Sequence, residues 1–343
     1  MRALVTGATG LVGSHLVEEL LKSYPEYSVR VLIRPASDKT GLDDKRLEIA
    51  WGDLTQPQSL QEAVRNVDVI FHCAAFVSDW ASRQEMIKIN VTGLKDLLEA
   101  SIAKGVRRFV LISSMAVLGM GKQENLDESA PYVRTGDLYN YTKIEAEKLA
   151  LDYGKKGNLS VTVIRPPYIY GPRDRQMLPR ILAFLKEEKF VYINGGNNPF
   201  HLVYVGNLVQ AMLLAATVPV ASGQIYHVTD GVSITRRELI EFIAESLHYA
   251  KPTKSVPLEL ARVACFVMEV ICKMLKSKKT PPLNRFRLKF MSTYLTFSID
   301  KATKQIGYQP EPQKDCLRRT LDWYRGQVEN TAEASAAFSN KNI

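Results

Sequence analysis

The sequence predicts a doubly wound α/β fold, in which helices cover both faces of a parallel sheet, followed by a smaller carboxyl-terminal lobe. Three observations predict this class. Short apolar strands alternate with amphipathic helices through the first half of the chain. A glycine-rich turn joins the first strand to the first helix, and the alternation stops at a group of prolines that begins with Pro166.

The predicted strands are short apolar runs, and each helix between them has one apolar face. In chain order the strands are Ala3–Thr6, Ser28–Ile33, Leu47–Trp51, Val69–Cys73, Phe109–Ser113 and Val161–Arg165, and the helices are Leu11–Lys22, Gln58–Arg65, Gln84–Lys104 and Tyr139–Tyr153. Two further strands, His201–Val205 and Gln224–Thr229, are expected to return to the sheet. The predicted main domain is residues 1–170 with these two strands, the lobe is residues 171–200 and 231–327, and residues 328–343 form a disordered tail.

The turn after the first strand contains Gly7, Gly10 and Gly13, each separated from the next by two residues. The first glycine allows a tight turn, the second lets backbone approach a pyrophosphate, and the third lets the helix pack closely on the strand. Free N–H groups at the helix N-terminus then face the phosphates. The turn predicts a Rossmann-type dinucleotide site. Its predicted contact residues are Gly7, Thr9, Gly10, Leu11 and Val12.

The end of the second strand predicts which dinucleotide is bound. It lies about twenty residues after Gly13, where an acid accepts a hydrogen bond from the ribose 2′-hydroxyl of NAD or a cation meets the 2′-phosphate of NADP. This chain has Arg34 there, with Lys39 close behind and no acid at the strand end. The sequence favours NADP over NAD. A solvated surface arginine is the alternative interpretation of Arg34.

A second group of residues predicts proton transfer. The fifth strand ends in two hydroxyls, Ser113 and Ser114, and a later helix carries Tyr139 and Lys143 four residues apart, on one face. Free tyrosine has a pKa of about 10, so a nearby ammonium is needed to favour its phenolate. We expect Tyr139 to exchange a proton with a substrate oxygen and Lys143 to lower the pKa of Tyr139 while bonding the nicotinamide ribose. Tyr141 lies on another helix face, which makes it a poor competitor.

In this order the motifs resemble those of the extended short-chain dehydrogenases/reductases, the NAD-dependent epimerase/dehydratase superfamily. The resemblance covers residues 1–325, and its Ser-x-x-Val-x-Gly pattern selects Ser114 over Ser113 as the catalytic serine that holds the substrate oxygen. Residues 74–80, 297–302 and 306–310 are similar to the 3β-hydroxysteroid dehydrogenase-like branch. The resemblance implies an NAD(P)-dependent oxidoreductase whose smaller lobe binds the substrate.

The resemblance also assigns residues outside the glycine turn. The implied cofactor contacts are Asp53 and Leu54 at the adenine, Ala74 and Ala75 at the phosphates and ribose, Tyr139 and Lys143 at the nicotinamide ribose, and Pro166 and Ile169 beside the nicotinamide ring. Asn90 matches a structural asparagine of the family, with helix capping or packing as the alternative. The chain departs from the family pattern at Leu118, where sugar-modifying relatives often have tyrosine, and at Asn207, which replaces the usual aspartate. His201 is expected to be a hydrogen-bonded histidine at a strand start rather than a substrate contact.

Composition and charge limit the remaining possibilities. Four cysteines without metal-ligand spacing predict reduced thiols and no metal site, and the absence of a signal-peptide pattern or a long apolar run predicts a cytoplasmic protein. We expect no nucleic-acid partner, and a homodimer is one candidate assembly. The formal net charge is +9, and the stretch between Val270 and Ile299 contributes seven Lys and Arg residues without an acid. Such a local excess suggests an anionic surface or ligand nearby.

The helix that leads into this stretch is predicted to be amphipathic. Its polar side is Glu259, Arg262, Glu269, Lys273 and Lys276, and its apolar side is Leu260, Ala264, Val267, Met268, Ile271, Met274 and Leu275. An ordinary packed helix of the lobe is the favoured interpretation. The alternative is that residues 258–289 contact an anionic membrane peripherally.

Three functions are compared. The leading hypothesis is NADP-dependent interconversion of a hydroxyl and a ketone on a hydrophobic substrate, either steroid-like or a 3-keto/3-hydroxy acyl chain. The enzymatic alternative is a nucleotide-sugar epimerase or dehydratase, for which Arg173, Arg175 and Arg180 could bind a diphosphate. The third is a cofactor-sensing binding protein, against which the intact set of Ser114, Tyr139 and Lys143 argues.

Overall fold

A computed structural model of the chain describes residues 1–39, 41–77, 82–274, 288 and 292–339; for residue 273 and residues 328–339 it describes the backbone alone. The strands are β1 (Arg2–Thr6), β2 (Ser28–Ile33), β3 (Leu47–Trp51), β4 (Val69–His72), β5 (Arg108–Ile112), β6 (Lys122–Leu126), β7 (Ser160–Arg165), β8 (Tyr168–Tyr170), β9 (Tyr192–Ile193), β10 (Pro199–Tyr204), β11 (Ile225–His227), β12 (Ser233–Thr235), β13 (Ser255–Val256) and β14 (Tyr294–Phe297). The α-helices are α1 (Leu11–Ser23), α2 (Pro57–Ala63), α3 (Arg83–Ile87), α4 (Gly93–Ala103), α5 (Leu138–Lys156), α6 (Leu178–Lys186), α7 (Val205–Thr217), α8 (Arg236–Ser246), α9 (Leu258–Met274), α10 (Asp300–Ile306) and α11 (Gln313–Ser339).

The main sheet has seven strands in the order β11-β7-β5-β4-β1-β2-β3, and every pairing within it is parallel. From β1 the chain builds outward through β2 and β3, and it then crosses to the other side of β1 to form β4. The order of the strands therefore reverses between β1 and β4. In such sheets a crevice opens at this point beyond the carboxyl ends of the strands, where ligands bind.

Helices cover both faces of the sheet because successive residues of each strand point to opposite sides. Val5 of β1 lies in a core with Leu16 of α1 and Leu208 of α7, whereas its neighbour Leu4 lies in a second core with Leu97 of α4. All of these side chains are fully buried. The doubly wound fold that the sequence predicts is thus confirmed.

The smaller lobe is built on a three-stranded sheet of order β12-β10-β8, which is packed against α6, α8 and α11. The sequence predicts that the strand at His201–Val205 joins the main sheet, and this expectation is wrong. It is β10, which pairs with β8 in parallel and with β12 in antiparallel orientation. β11 does return to the main sheet, beside β7. An apolar run identifies a strand but not its neighbour, because pairing partners are distant in sequence.

Three helical segments also differ from the predictions. The predicted helix Gln84–Lys104 is divided into α3, a π-helix at Lys88–Thr92 and α4. α11 continues to Ser339, through most of the tail predicted to be disordered, and its alanine-rich end has a high helix propensity. α9 packs through Ala261 and Cys265, and most of the side predicted to be packed is exposed.

No helix within the described ranges is long and apolar enough to cross a bilayer. Leu275, Lys276 and the following cations of the predicted basic stretch lie outside those ranges.

Candidate active site

The turn from β1 to α1 brings the three glycines into close contact with neighbouring backbone. Gly7 has a φ of +69°, and a Cβ atom there would lie 2.8 Å from the amide nitrogen of Ala74. A Cβ atom at Gly13 would lie 2.3 Å from the carbonyl oxygen of Gly7. Both substitutions would displace backbone, so both positions require glycine. A Cβ at Gly10 would lie 3.2 Å from the same carbonyl oxygen.

The N-terminus of α1 is open to a ligand. Gly10 is the N-cap residue and supplies no side chain to the free N–H groups, and the first turn contains no acid. Thr9 and Gly10 are exposed, and Leu11 and Val12 are half-buried at the start of the helix. The helix end is uncapped and carries the positive end of the helix dipole, and the glycine turn beside it has no room for side chains. Both features fit a dinucleotide pyrophosphate. The residues present therefore fit the dinucleotide that the sequence predicts.

The residues predicted at the adenosine end follow β2 and β3, which are neighbours in the sheet. Arg34 is exposed directly after β2, and no hydrogen bond or ion pair links its side chain to another described residue. The Lys39 ammonium lies 4.7 Å from the centre of the Trp51 ring, at the end of β3. Asp53 is half-buried and accepts a hydrogen bond from the Thr55 amide at 2.7 Å. Leu54 is buried against α4 at Gly93.

The loop after β4 is held by hydrogen bonds to two side chains from other parts of the sequence, Thr6 and Asn90. The Ala74 amide donates to Thr6 Oγ1 at 3.2 Å, and Ala75 is exposed beside it. Asn90, on the π-helix, accepts from the Phe76 amide at 2.7 Å and donates to the Phe76 carbonyl at 2.9 Å. The structural role predicted for Asn90 is thus seen in its contacts: it fixes the segment predicted to border the cofactor phosphates.

The two serines at the end of β5 have separate roles. Ser113 is buried, and its hydroxyl donates to the carboxylate of Glu147 on α5. Ser114 is half-buried, its Oγ accepts from the Ala116 amide at 3.1 Å, and its hydroxyl is close enough to Tyr139 to lower the pKa of that phenol. Since the Ser113 hydroxyl is already bound to a buried acid, Ser114 is the serine that can act with Tyr139.

Tyr139 and Lys143 lie one turn apart on α5, with the Lys143 Nζ 5.8 Å from the centre of the Tyr139 ring. Nζ donates to the carbonyl oxygen of Ile112, at the end of β5, at 2.9 Å. One group of side chains beyond the carboxyl ends of β5 and β4 therefore consists of Ser114, Tyr139 and Lys143. The glycine turn lies at the same end of the sheet.

The pKa of Tyr139 is shifted in a direction that differs from the prediction. Burial raises the pKa of Tyr139, and the neighbouring Ser114 hydroxyl opposes that rise. Burial lowers the pKa of Lys143 to about 8, and the carboxylate of Glu147 opposes that fall. The direction for Tyr139 is opposite to the predicted one, because desolvation outweighs the opposing effect of Ser114, and the Lys143 ammonium is directed to the Ile112 carbonyl. At neutral pH Tyr139 is a phenol that can donate a proton.

The segment after β7 lies beside the turn that follows Ser114. The Pro166 carbonyl accepts from the Met115 amide at 2.9 Å, which ties the segment to the turn that follows Ser114. Ile169, on β8, is half-buried between the main core and the core of the lobe. His201 is buried, with Nδ1 3.2 Å from Thr229 Oγ1, as expected for a hydrogen-bonded histidine.

Asn207, which replaces the usual aspartate, joins α7 to the segment after β11 and to the segment before α11. Its Nδ2 donates to Asp230 Oδ1 at 2.8 Å, and its Oδ1 accepts from the Glu311 amide at 2.9 Å. Asp230 is itself buried, so an aspartate at 207 would place two carboxylates in contact. The amide is the residue that fits beside this acid.

The arginines of the nucleotide-sugar alternative are not equally available. Arg173 forms a two-pronged ion pair with Glu18 of α1, with Nη2 and Oε2 2.9 Å apart. Arg175 and Arg180 are exposed. Sequence reasoning also missed Glu147, although it follows Tyr139 and Lys143 at the same four-residue spacing and that spacing could have revealed it.

The comparison with known families agrees with this geometry. Residues 3–229 match the NAD dependent epimerase/dehydratase family. The chain belongs to this family. The resemblance to the extended short-chain dehydrogenases/reductases is thereby confirmed.

Members of the NAD dependent epimerase/dehydratase family that resemble this chain include sterol enzymes. The 3beta-hydroxysteroid-dehydrogenase/decarboxylase isoform 1 of Arabidopsis thaliana is 30% identical over 345 residues, covering 93% of this chain and 78% of the relative. A decarboxylating sterol-4-alpha-carboxylate 3-dehydrogenase of Candida albicans is 31% identical, covering 93% and 96%. The 4-hydroxy-2-methyl-3-oxo-4-farnesyl-3,4-dihydroquinoline-1-oxide ketoreductase of Stigmatella aurantiaca is 29% identical, covering 90% and 92%. The predicted similarity to the 3β-hydroxysteroid dehydrogenase-like branch is confirmed.

Solved structures of the family share the fold over nearly the whole chain. The crystal structure of gox2253 is 28% identical, has a TM-score of 0.78, and is matched over 95% of this chain and 98% of its own. A double mutant of the dTDP-glucose 4,6-dehydratase DesIV from Streptomyces venezuelae, with NAD and DAU bound, is 26% identical with a TM-score of 0.76, covering 95% and 97%. NAD is thus bound by a structural neighbour that shares this fold.

Proposed function

We propose that this protein is an NADP-dependent oxidoreductase that interconverts a hydroxyl and a ketone on a hydrophobic substrate, either steroid-like or a 3-keto/3-hydroxy acyl chain. The arrangement of Ser114, Tyr139 and Lys143 at the carboxyl edge of the sheet carries this proposal. The relatives named as sterol dehydrogenases and as a ketoreductase support the chemical class.

The proposed mechanism assigns one step to each side chain. When bound, the nicotinamide supplies or accepts a hydride. Ser114 donates a hydrogen bond to the substrate oxygen and holds it beside Tyr139. In the reduction, Tyr139 donates its phenolic proton to that oxygen; in the oxidation, its phenolate takes the proton back. Lys143 bonds the nicotinamide ribose, and its ammonium stabilises the phenolate that remains after the transfer.

The cofactor contacts are proposed on the same grounds. Gly7, Thr9, Gly10, Leu11 and Val12 would hold the pyrophosphate, Asp53 and Leu54 the adenine, Ala74 and Ala75 the phosphates and ribose, and Pro166 and Ile169 the nicotinamide ring. The exposed guanidinium of Arg34 supports NADP over NAD, since it is available to a 2′-phosphate. Among the family alternatives, the ion pair of Arg173 with Glu18 weakens the case for a nucleotide-sugar substrate.

A substrate screen tests the reaction class. The purified protein with NADPH should lose the absorbance of the reduced nicotinamide when apolar 3-ketones such as a 3-ketosteroid or a 3-ketoacyl ester are added. UDP-sugars and dTDP-sugars should leave NADPH unchanged and should not be epimerised or dehydrated, as measured by chromatography. Conversion of a nucleotide sugar without conversion of any ketone would overturn the proposal in favour of an epimerase or dehydratase.

We also propose that α9 contacts an anionic membrane surface. Its exposed apolar face consists of Leu260, Val263, Val267, Ile271 and Met274, and Met274 is 78% exposed. The sequence of residues 275–289, which follows this face, contains six Lys and Arg residues and no acid. An apolar face followed by uncompensated cations is complementary to an anionic lipid surface, where each cation adds about 1 kcal/mol. A peripheral position of this kind would suit an apolar substrate.

Vesicle binding tests this contact. The protein should pellet with phosphatidylserine vesicles at low salt and should be released at high salt, because screening weakens the attraction. The triple variant Leu260→Ser, Val267→Ser, Met274→Ser should lose most of this binding. Val220→Ser, which removes an exposed apolar side chain from another surface, is the matched control and should bind as the parent does. Failure to pellet at low salt, or equal binding by the triple variant, would exclude the membrane contact.

A further inference from the structure

Glu147 is a buried acid beneath the proposed active site that the mechanism above does not use. It is fully buried on α5, two turns after Tyr139 and one turn after Lys143. Its carboxylate is paired with Arg165 of β7, with Nη2 and Oε2 2.7 Å apart and Nε 3.1 Å from both oxygens. The hydroxyl of Tyr132 donates to Oε2 at 3.0 Å. The acid therefore connects three parts of the molecule at one point.

The third partner of Glu147 lies at the end of β5. Ser113 donates its hydroxyl to Oε1, and the residue before it, Ile112, accepts from the Lys143 ammonium at 2.9 Å. Two neighbouring residues at the end of β5 are thus bound by two side chains of α5 that lie one turn apart. Ser114 is the next residue along the chain, and Tyr139 lies one turn before Lys143 on α5. This double contact therefore sets the position of Ser114 relative to Tyr139.

Glu147 also lies close to buried positive charges. Lys143 and Arg165 are buried cations, and Glu147 is the acid that contacts Arg165 and lies one turn from Lys143. The other titratable groups that face Lys143 are His72 and Cys73, at the end of β4, and Tyr139. Burial lowers the pKa of His72 to about 3 and raises the pKa of Cys73 to about 12, so both are neutral at pH 7.

Two more groups act on the Arg165 side of the pair. His227 of β11 is buried, and burial lowers its pKa to about 3, so it is neutral as well. Lys301 of α10 is half-buried, and it acts on Arg165 as a like charge. Glu147 is therefore the acid that acts on both buried cations, whereas Asp127 and Glu128 act on His227 and Lys301.

We propose that Glu147 is a positioning residue of the proton relay, which holds the end of β5 against α5 and keeps the Lys143 ammonium charged. The proposal rests on the role given to Lys143 and Tyr139 under the proposed function. It adds Glu147 as a third residue of α5 at the four-residue spacing of Tyr139 and Lys143. It also assigns to Arg165 and Ser113 the role of holding Glu147 in place. Glu147 has no contact with substrate or cofactor in this scheme and acts through Lys143.

Titration of Lys143 tests this proposal without substrate or cofactor. Protein labelled with ¹³C at lysine Cε is titrated by NMR, and the Lys143 signal is assigned by its loss in Lys143→Met. In the parent protein it should titrate near pH 8, well below ordinary lysines, since burial lowers the pKa of Lys143 to about 8. In the double variant Glu147→Gln, Arg165→Gln the midpoint should fall by about one unit, because the lost carboxylate acts directly on Lys143, whereas Arg165 contacts Glu147 and does not act on Lys143 to a comparable extent. The double change avoids leaving Arg165 as an unpaired buried charge.

Ser113→Ala is the matched control, since it removes one hydrogen bond from Glu147 and leaves every charge in place. Its midpoint should stay within a few tenths of a unit of the parent value, roughly the size expected without a charge change. If the double variant does not fold, Glu147→Asp provides the test, because it withdraws the carboxylate by one methylene and should give a smaller fall. A midpoint unchanged in the charge-removing variant would overturn the proposal. Since no turnover is measured, this result is independent of whether the oxidoreductase assignment holds.

Discussion

Replacing Tyr139 with phenylalanine should lower turnover by about a thousandfold or more, within the range expected for loss of a positioned proton donor. The substitution removes one hydroxyl and keeps the ring, so NADP affinity should change by no more than a few-fold. Turnover is measured as ketone-dependent NADPH oxidation, and affinity by fluorescence of the bound nicotinamide. Lys143→Met should impair both quantities, because it removes a ribose contact as well as the charge beside Tyr139.

Tyr141→Phe is the matched control for this experiment. The guanidinium carbons of Arg83 and Arg134 lie 4.8 and 5.2 Å from the centre of the Tyr141 ring. Phenylalanine keeps these contacts, so this variant should retain most of its turnover. Retained turnover in Tyr139→Phe would show that another group transfers the proton.

Replacing Arg34 with aspartate should reverse the choice of cofactor. The change exchanges a cation for an anion where the 2′-phosphate is expected, so NADP affinity should fall by about a hundredfold or more, whereas an acid there can accept from the 2′-hydroxyl of NAD. NAD affinity should therefore change by less than about fivefold. Dissociation constants for both cofactors, measured at one ionic strength, give the ratio.

Lys104→Asp makes the same change of charge type at an exposed site after α4, away from the glycine turn. It should alter both affinities equally and slightly, through the net charge alone. An equal loss of NADP and NAD affinity in Arg34→Asp would remove Arg34 from the proposed site.

The parts of the fold that the sequence predicts well are those that local chemistry determines. Gly7 and Gly13 contact backbone so closely that no other residue fits, and the spacing of Tyr139 and Lys143 is a property of any helix. The β1–α1 turn and the order of the relay residues therefore follow from the amino-acid sequence alone.

The parts that sequence analysis missed depend on contacts between distant residues. The bond from Ser113 to Glu147 spans 34 residues, and the strand at β10 has the same apolar pattern whether it joins the main sheet or the lobe. The direction of the Tyr139 pKa shift depends on burial, which no local pattern reports. Sequence analysis also does not identify which side of α9 packs, because an apolar helix side has the same sequence whether it is covered or exposed.

The contact between Asn90 and Phe76 has a consequence for the loop after β4. The side-chain amide of Asn90 has the same donor and acceptor as a peptide group, and it meets both the N–H and the C=O of Phe76. For this residue it does what an adjoining strand would do, and Phe76 lies four residues after the last residue of β4. Aspartate has nearly the same shape but lacks the donor, so it would turn an oxygen toward the Phe76 carbonyl. The irregular segment with Ala74 and Ala75 thus obtains, from a side chain, the support that a strand obtains from backbone.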